Sequence, residues 1–318
     1  MDQNNILFSI VIPFYDTIDY IKETIESIIS QQHFNLDQAE VIIVDDGSKQ
    51  NLDFLLQYKS SIKNLFIHTK ENGNWGSVIN YVKNNKLVKG KYVTILDSDD
   101  RFANNILFTV QKYLHKEPDI ITAKFYRWKS VSQRKKLIPV HWLLNDRFYS
   151  GSSFIKKQHL LRTPYSFPLA KFYKTDLFYK SNFVLEEHIS FQDSVFFHTM
   201  VSNATSWQYI DEGLALYRDD RPNSSSNTQW SINRINAWIK TINNLDKCGA
   251  TSNAYMYCIF KPFVNACKQI NVQDLKETIT LHNDFNVTYI CKPLQPIAKL
   301  VFKKITKKLA KTLPIKFV

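Results

Sequence analysis

The chain has 318 residues, of which 44% are hydrophobic and 14% aromatic, and its formal net charge is +12. This length suits one large domain or two smaller ones, and no apolar run is long enough to span a bilayer. The amino terminus lacks the basic region of a signal peptide, and the four cysteines form no Cys-x-x-Cys pair. We therefore expect a cytosolic protein without a zinc site or a disulfide framework.

The first half of the sequence alternates short apolar runs with helical patterns. Alternating strands and helices predict a parallel sheet with right-handed crossovers. The predicted strands are Phe8–Ile12, Glu40–Val44, Leu65–His68, Tyr92–Leu96 and Ile120–Trp128, and the predicted helices are Ile18–Ile29, Leu52–Tyr58, Trp75–Leu87 and Asn104–His115.

The second half is less regular. The basic stretch Lys129–Lys136 predicts an exposed loop, and Ser206–Tyr217 predicts two short strands about Gly213. The lysine-rich segment Ile297–Val318 has the pattern of a basic amphipathic helix, which suits either an anionic membrane surface or packing on its own domain. Further helices are predicted at Gln192–Asn203, Trp230–Leu245 and Tyr255–Ile270. We expect one domain over 1–228, with halves at 1–128 and 129–228, and a helical region over 229–318.

Carboxylates follow three of the predicted strands. Asp16 comes after the first strand, Asp45 and Asp46 come after the second, and Asp97, Asp99 and Asp100 come after the fourth. Ligands of open α/β sheets bind at the carboxyl ends of the strands, and paired carboxylates supply the hard oxygen ligands that Mg²⁺ or Mn²⁺ prefers. A solvated turn rich in Asp and Ser is the alternative.

Four segments stand in order along the first third of the chain: SIVIPFYDTIDYIKETIESI at Ser9–Ile28, EVIIVDDGS at Glu40–Ser48, ENGNWGSVIN at Glu71–Asn80 and GKYVTILDSDD at Gly90–Asp100. Together they resemble the inverting family-2 glycosyltransferases with the GT-A fold, of the type that builds bacterial surface polysaccharides and cell walls. Looser matches follow at Phe167–Phe178, Ile189–Phe197 and Leu216–Ser226. There are two departures from the family pattern: Ile79 replaces a common Arg, and Gln192 replaces the Glu of a Glu-Asp pair.

The resemblance implies an α/β, Rossmann-like GT-A fold with a mostly parallel central sheet and a smaller helical C-terminal region. It implies a metal-dependent enzyme that moves one sugar from a UDP-sugar to an acceptor hydroxyl with inversion. The acceptor would be a sugar, a polyol phosphate or a lipid-linked molecule in surface polysaccharide, teichoic acid or glycoconjugate synthesis. Such an enzyme would be cytoplasmic, with the basic tail at the inner face of the cell membrane, and would not bind nucleic acid.

The resemblance also assigns roles to residues. Asp99, with Asp97, would hold Mn²⁺ or Mg²⁺, and Asp45 would accept a hydrogen bond from N3–H of uracil. Asp193 would be the general base, although it also suits a helix N-cap, and Glu186 and Glu187 are its rivals. The predicted nucleotide contacts are Pro13, Phe14, Tyr15, Asp45, Asn72, Asn80, Asp97 and Ser98, and the predicted contacts to the donor sugar or diphosphate are Asp100, Arg218 and Arg221.

Two other functions remain open from sequence. A sugar-phosphate nucleotidyltransferase also uses an α/β sheet and a divalent metal, but it needs a Gly-rich loop with Arg and Lys after the first strand, and Pro13–Thr17 has neither. A basic nucleic-acid-binding protein would explain the net charge. The acids at successive strand ends argue against it.

Overall fold

A computed structural model describes residues 6–138, 146–154, 168–222, 224, 231–247, 279–281 and 315–317. The described residues fall into two compact units. The first contains the chain up to Phe154 together with Pro168–His188 and Asn203 onward to Thr228, and the second contains Ile189–Ser202 and the residues from Gln229 onward.

The first unit is built on a ten-stranded sheet with the order β3-β2-β1-β4-β9-β6-β10-β5, in which β7 pairs with β6 and β8 pairs with β10. The strands are β1 Phe8–Phe14, β2 Ala39–Asp45, β3 Leu65–Thr69, β4 Tyr92–Ile95, β5 Arg101–Phe102, β6 Ile120–Lys129, β7 Arg134–Leu137, β8 Arg147–Ser150, β9 Lys171–Lys174 and β10 Ser206–Arg218.

The predicted parallel core is confirmed for β3, β2, β1 and β4, which pair in parallel. The second half of the unit adds antiparallel pairs, because β9 runs antiparallel to both β4 and β6. Since both neighbours oppose β9, β6 runs parallel to β4, and the two strands end at the same edge of the sheet.

Helices connect and cover these strands. In the first unit they are α1 Ile18–Ile29, α2 Asn74–Asn84, α3 Ile106–Gln111 and α4 Thr175–Lys180, with 3-10 turns at Leu36–Gln38, Asp53–Ser60 and Leu114–Lys116. The second unit contains most of α5 Gln192–Asn203, all of α6 Ile232–Lys247, and the parallel pair β11 Ile279–Leu281 and β12 Ile315–Phe317. No helix in the described ranges is long and apolar enough to cross a bilayer.

A buried carboxylate joins the amino-terminal ends of the central strands. Glu40 of β2 is buried and accepts hydrogen bonds from the hydroxyl of Ser9 at 2.5 Å and from the backbone N–H of Lys89 at 2.6 Å. The Ser9 hydroxyl in turn accepts from the N–H of Gly90 at 2.8 Å. This network fixes the start of β4 against β1 and β2.

The first strand passes through Pro13, which the sequence analysis placed after its end. The pairing of β1 with β4 ends at Val11 and Ile95, whereas its pairing with β2 continues to Phe14 and Asp45. Pro13 has no N–H to donate, and it tolerates the strand because no partner strand lies on its other side.

The predicted exposed loop Lys129–Lys136 is only partly a loop. Residues 130–133 form a largely exposed turn, whereas Lys129 pairs with Arg134, and Arg127 pairs with Lys136, in a hairpin. The apolar alternation that marks a strand is missing from Arg134–Leu137 because all four residues are exposed.

The region predicted as two strands about Gly213 is the single strand β10, whose register against β6 shifts on either side of Gly213. A Cβ on Gly213 would lie 2.3 Å from the ring of Tyr126, so glycine permits the close approach at this bulge.

The predicted C-terminal helices are only partly covered by the structure. Tyr255–Ile270 lies outside the described residues, as does Ile297–Val318 except for Ile315–Phe317. Those three residues form β12 rather than a helix, because they pair with β11.

Candidate active site

The candidate site lies in the first unit, where β1, β2 and β4 end at one edge of the sheet. The backbone N–H of Asp46 donates to the carbonyl oxygen of Phe14 at 2.9 Å, and the N–H of Leu96 donates to that of Val11 at 2.9 Å. These bonds continue the parallel ladders past the strand ends, so the loops that follow begin side by side. This is the edge at which open α/β sheets bind ligands.

The Asp46 carboxylate holds the loop between β3 and α2. It is buried and accepts hydrogen bonds from Lys70 Nζ at 2.8 Å, from the N–H of Gly73 at 3.0 Å and from Ser77 Oγ at 3.2 Å. The Asn72 amide donates to its carbonyl oxygen at 3.0 Å. With these partners, Asp46 has the structural role of fixing the amino terminus of α2.

The turn after β2 is tied to the turn after β1. Asp45 is buried, and its Oδ1 accepts from the N–H of Ser48 at 2.9 Å, while Ser48 Oγ accepts from the N–H of Asp16 at 3.0 Å. Gly47 has φ +76°, and a Cβ there would lie 2.9 Å from the Asn72 nitrogen. Among the described residues, no group donates to Oδ2 of Asp45.

The turn Asp97–Asp100 follows β4 and is hydrogen-bonded to Thr24 of α1 and to Thr17, the N-cap of that helix. Thr24 Oγ1 donates to the carbonyl oxygens of Ser98 at 2.9 Å and of Asp100 at 2.8 Å. The Ser98 hydroxyl is buried against Thr17 Oγ1 at 2.6 Å. This contact favours a structural role for Ser98 over the predicted nucleotide contact.

Trp75 contributes a contact to the acid pair that the sequence analysis did not identify. Its indole Nε1–H, at the start of α2, donates to Oδ1 of Asp97 at 3.0 Å. An indole N–H can only donate, so it orients an accepting oxygen of the Asp97 carboxyl group. In the sequence, the only indication of this contact is that Trp75 stands beside the Asn and Gly residues of ENGNWG, close to the predicted site.

Asp99 and Asp100 are both largely buried. Oδ2 of Asp99 lies 3.0 Å from Nε of Arg221. Burial raises the pKa of Asp99, and the guanidinium of Arg221 opposes that shift. Burial, with the neighbouring charges of Asp99 and Asp97, raises the pKa of Asp100 well above its usual range. Additional positive charge at this turn would therefore be stabilising.

Arg218 supports the same turn from inside the protein. Its Nε donates to the carbonyl oxygen of Asp99 at 2.9 Å, and its backbone N–H donates to Oδ1 of Asp100 at 2.8 Å. Its guanidinium is buried, lies 4.4 Å from the ring centre of Trp128 and pairs with Glu23 at 3.0 Å. These contacts favour a positioning role over the predicted diphosphate contact.

Pro13, Phe14 and Tyr15, which were predicted to contact the nucleotide, differ in how far their side chains are exposed to solvent. Pro13 and Phe14 belong to β1, and the Phe14 ring is buried. Tyr15 follows the strand and is 48% exposed. Tyr15 is therefore the one of the three whose ring is accessible to a ligand.

The two predicted amide contacts are engaged with the protein itself. Asn72 binds Asp46, as above, and also donates to its Oδ2 at 3.2 Å. The Asn80 amide donates to the carbonyl oxygen of Leu185 at 2.7 Å and accepts from its N–H at 3.2 Å. Asn80 thus anchors the segment that leads to Glu186, which favours a structural role.

Asp193 and its two rivals lie in different units. Asp193 is in the first turn of α5, within the second unit, whereas Glu186 and Glu187 precede it in the first unit. The N–H of His188 donates to the carbonyl oxygen of Gly73 at 2.8 Å, which fixes the Glu186–His188 segment beside the start of α2. The assignment of the general base to Asp193 remains a prediction.

The acid pair fits a metal that is shared with a phosphate ligand. Within the described ranges, no three His, Cys, Asp or Glu side chains are grouped to hold a metal ion. Mg²⁺ and related ions commonly take one or two carboxylates and complete their coordination with substrate phosphates and water. Asp97 and Asp99 can supply those carboxylates.

Comparison with known proteins decides the family. The model of "Glycosyl transferase family 2" matches residues 9–177. The chain belongs to this family. The glycosyltransferase MG025 of Mycoplasma genitalium is 35% identical over 295 residues, which is 91% of this chain and 92% of that protein.

Solved structures support the fold. TarS of S. aureus in complex with UDP-GlcNAc superposes with a TM-score of 0.63 at 18% identity, covering 94% of this chain and 80% of that one. The mannosyltransferase PcManGT from Pyrobaculum calidifontis, in complex with GDP-Man and Mn²⁺, has a TM-score of 0.51 at 12% identity, covering 95% of this chain and 83% of that one. The predicted GT-A fold and the prediction of a glycosyltransferase are confirmed.

The Trp75 contact can be tested by Trp75→Phe, which keeps an aromatic ring and removes the N–H. We expect kcat/KM for donor turnover to fall by about ten- to a hundredfold, because a hydrogen bond to a charged group contributes about 1.5–3 kcal/mol.

The matched control is Tyr81→Phe, which removes a polar hydrogen from the same helix. Wild-type kinetics in Trp75→Phe would show that the indole has no part in holding Asp97.

Proposed function

We propose that this glycosyltransferase moves a single sugar from a UDP-sugar to an acceptor hydroxyl, with a divalent cation at Asp97 and Asp99 and with inversion at the anomeric carbon. The observation that carries the proposal is the turn Asp97–Asp100 at the carboxyl end of β4, in which Ser98 and Asp100 are buried and Asp97 and Asp99 are partly exposed. Its carboxylates are held by Trp75 and Arg221. The nucleotidyltransferase and nucleic-acid-binding functions are set aside, because the chain belongs to a glycosyltransferase family.

A divalent cation on this pair would neutralise charge on the diphosphate as it leaves the sugar. Asp99 would be its main ligand, with Asp97 oriented by Trp75. Arg221 is the one predicted diphosphate contact whose guanidinium faces the acid pair, so we assign the diphosphate to Arg221 and positioning to Arg218. Mn²⁺ in PcManGT supports this arrangement at the level of the fold.

The nucleotide is proposed to be UDP because of Asp45. This carboxylate lies at the end of β2, and its Oδ2 has no donor among the described residues. A carboxylate accepts strongly from N3–H of uracil and finds no N–H at that position of cytosine. UDP-GlcNAc in TarS supports a uridine donor at the level of the fold.

The base is proposed to be Asp193. In an inverting reaction, the acceptor oxygen attacks the anomeric carbon from the face opposite the leaving group, and the bond from that carbon to the diphosphate oxygen breaks. The base takes the proton of the acceptor hydroxyl, and UDP carries away the bonding electron pair. The acceptor is proposed to be a sugar, a polyol phosphate or a lipid-linked molecule.

The location is proposed to be the cytoplasm, with contact at the inner face of the membrane through the lysine-rich tail. Lys303, Lys304, Lys307, Lys308 and Lys311 give the tail its charge. These residues lie outside the part of the chain that the structure describes, so this proposal rests on the sequence alone.

Metal dependence is tested with a chelator. Donor turnover should vanish in excess EDTA and return with Mn²⁺ or Mg²⁺. Asp99→Asn should lose activity at every metal concentration and should bind Mn²⁺ more weakly by electron paramagnetic resonance, because it removes a charged ligand. The control is Asp37→Asn, which changes an exposed Asp in the turn before β2 and should leave turnover unchanged. Full turnover of the wild type in excess chelator would refute the claim.

The nucleotide preference is tested by calorimetry. UDP should bind the wild-type protein more tightly than CDP, because cytosine has no N–H at N3, and the difference should shrink in Asp45→Ala, because the acceptor of the uracil N–H is lost. Equal affinities for the two nucleotides in the wild type would contradict the assignment.

The general base is tested by Asp193→Asn. UDP-sugar affinity should stay near the wild-type value, while kcat falls by about a hundred- to ten-thousand-fold. Asn is an equally good helix cap, so a purely structural role predicts an active enzyme. Glu187→Gln, which removes a rival base, is the control and should keep a kcat near the wild-type value. A product that retains the anomeric configuration of the donor, as measured by NMR, would overturn the assignment.

A further inference from the structure

The hairpin of β6 and β7 carries an unusual charge pattern. Arg127 lies directly opposite Lys136, and Lys129 lies directly opposite Arg134. Residues opposite each other in an antiparallel pair point to the same face, and positions two apart on one strand share that face as well. The four cations therefore form one face, which we call the cationic face.

This face is exposed and short of counter-charges. All four residues are solvent-exposed. Arg127 pairs with Asp219. The side chains of Lys129, Arg134 and Lys136 make no ion pair or hydrogen bond with any residue that the structure describes. Like charges placed directly opposite each other destabilise a sheet, so folding alone does not explain the pattern.

The opposite face of the hairpin anchors it to the protein. Trp128 is buried, and the guanidinium of Arg218 lies 4.4 Å from its ring centre. At the turn, the Asp220 carboxylate accepts from Ser130 Oγ at 3.1 Å and from the N–H of Val131 at 3.0 Å. The hairpin is thus held in place, with the cationic face turned outward.

The tip of the hairpin carries one exposed apolar side chain, Val131, among polar residues. Val131 is 92% exposed, the largest exposed fraction among the large hydrophobic residues of the described chain. Cations flanking an exposed apolar side chain suit a lipid surface, where lysine and arginine meet the phosphates and the apolar group enters the interface. A soluble chain of phosphates would leave Val131 without a partner.

We propose that the cationic face, with Val131 at its tip, binds the surface of an anionic lipid bilayer. The hairpin extends from the carboxyl end of β6, and Trp128 pairs with Arg218, which contacts Asp99 and Asp100. The bound membrane would therefore lie at the same edge of the sheet as the acid pair. This surface does not depend on the proposed metal, nucleotide or base.

The test measures how the full-length protein partitions onto vesicles of phosphatidylcholine with phosphatidylglycerol, and onto vesicles of phosphatidylcholine alone. The variant is Lys129→Gln/Arg134→Gln/Lys136→Gln, which leaves Arg127 and Asp219 intact. Each cation near an anionic surface is worth roughly fivefold in partitioning, so the variant should bind the anionic vesicles about a hundredfold more weakly. Wild-type binding should also weaken as salt is raised.

The matched control removes the same charge from the opposite edge of the sheet, at Lys86, Lys89 and Lys91, which precede β4. It should bind within about twofold of the wild type, since charges beyond a Debye length are screened. The hairpin variant should melt at the same temperature as the wild type or higher, because it relieves a like-charge pair. Val131→Asp alone should also weaken vesicle binding.

Two results would overturn the proposal. One is vesicle binding by the hairpin variant equal to that of the control, which would assign any membrane contact to the tail lysines that every variant keeps. The other is hairpin-dependent binding to soluble polyphosphate without binding to vesicles, which would assign the face to a polyanion in solution.

Discussion

The partly buried turn Asp97–Asp100 places three carboxylates close together, and the surrounding residues hold and offset that charge. An ionised carboxylate in a dry environment is costly unless hydrogen bonds or opposite charges compensate it. Trp75 binds Asp97, Arg221 pairs with Asp99, and the backbone N–H of Arg218 binds Asp100. Burial raises the pKa of Asp99, and burial with the charges of Asp99 and Asp97 raises the pKa of Asp100, so additional positive charge at this turn would be stabilising.

The position of the turn depends on structure that does not itself touch a ligand. Asp46 fixes the start of α2, and with it the indole of Trp75. Thr24 fixes the turn against α1. A substitution at either residue would change the geometry of the acid pair, although neither side chain is a proposed ligand.

The sequence predicted the parallel core and the acid pair because apolar runs of strand length ended in carboxylates. It did not predict that Arg218, Asn72 and Asn80 would be engaged within the protein, since a residue type does not reveal whether its partner is a ligand or a backbone carbonyl. The role of Thr24 could be inferred from the sequence, because a polar residue at a buried position of α1 among isoleucines needs hydrogen-bond partners inside the protein. The hairpin around residues 130–133 was missed because β7 is exposed at every position and so lacks the apolar alternation of a strand.

If Asp99 and the donor diphosphate share a divalent cation, crystals grown with UDP and Mn²⁺ will hold the metal at this turn. Diffraction data at the manganese edge should show an anomalous peak about 2 Å from a carboxylate oxygen of Asp99 and from a diphosphate oxygen. Bound UDP without a peak at this turn, or a peak on other ligands, would show that Asp99 does not hold the metal.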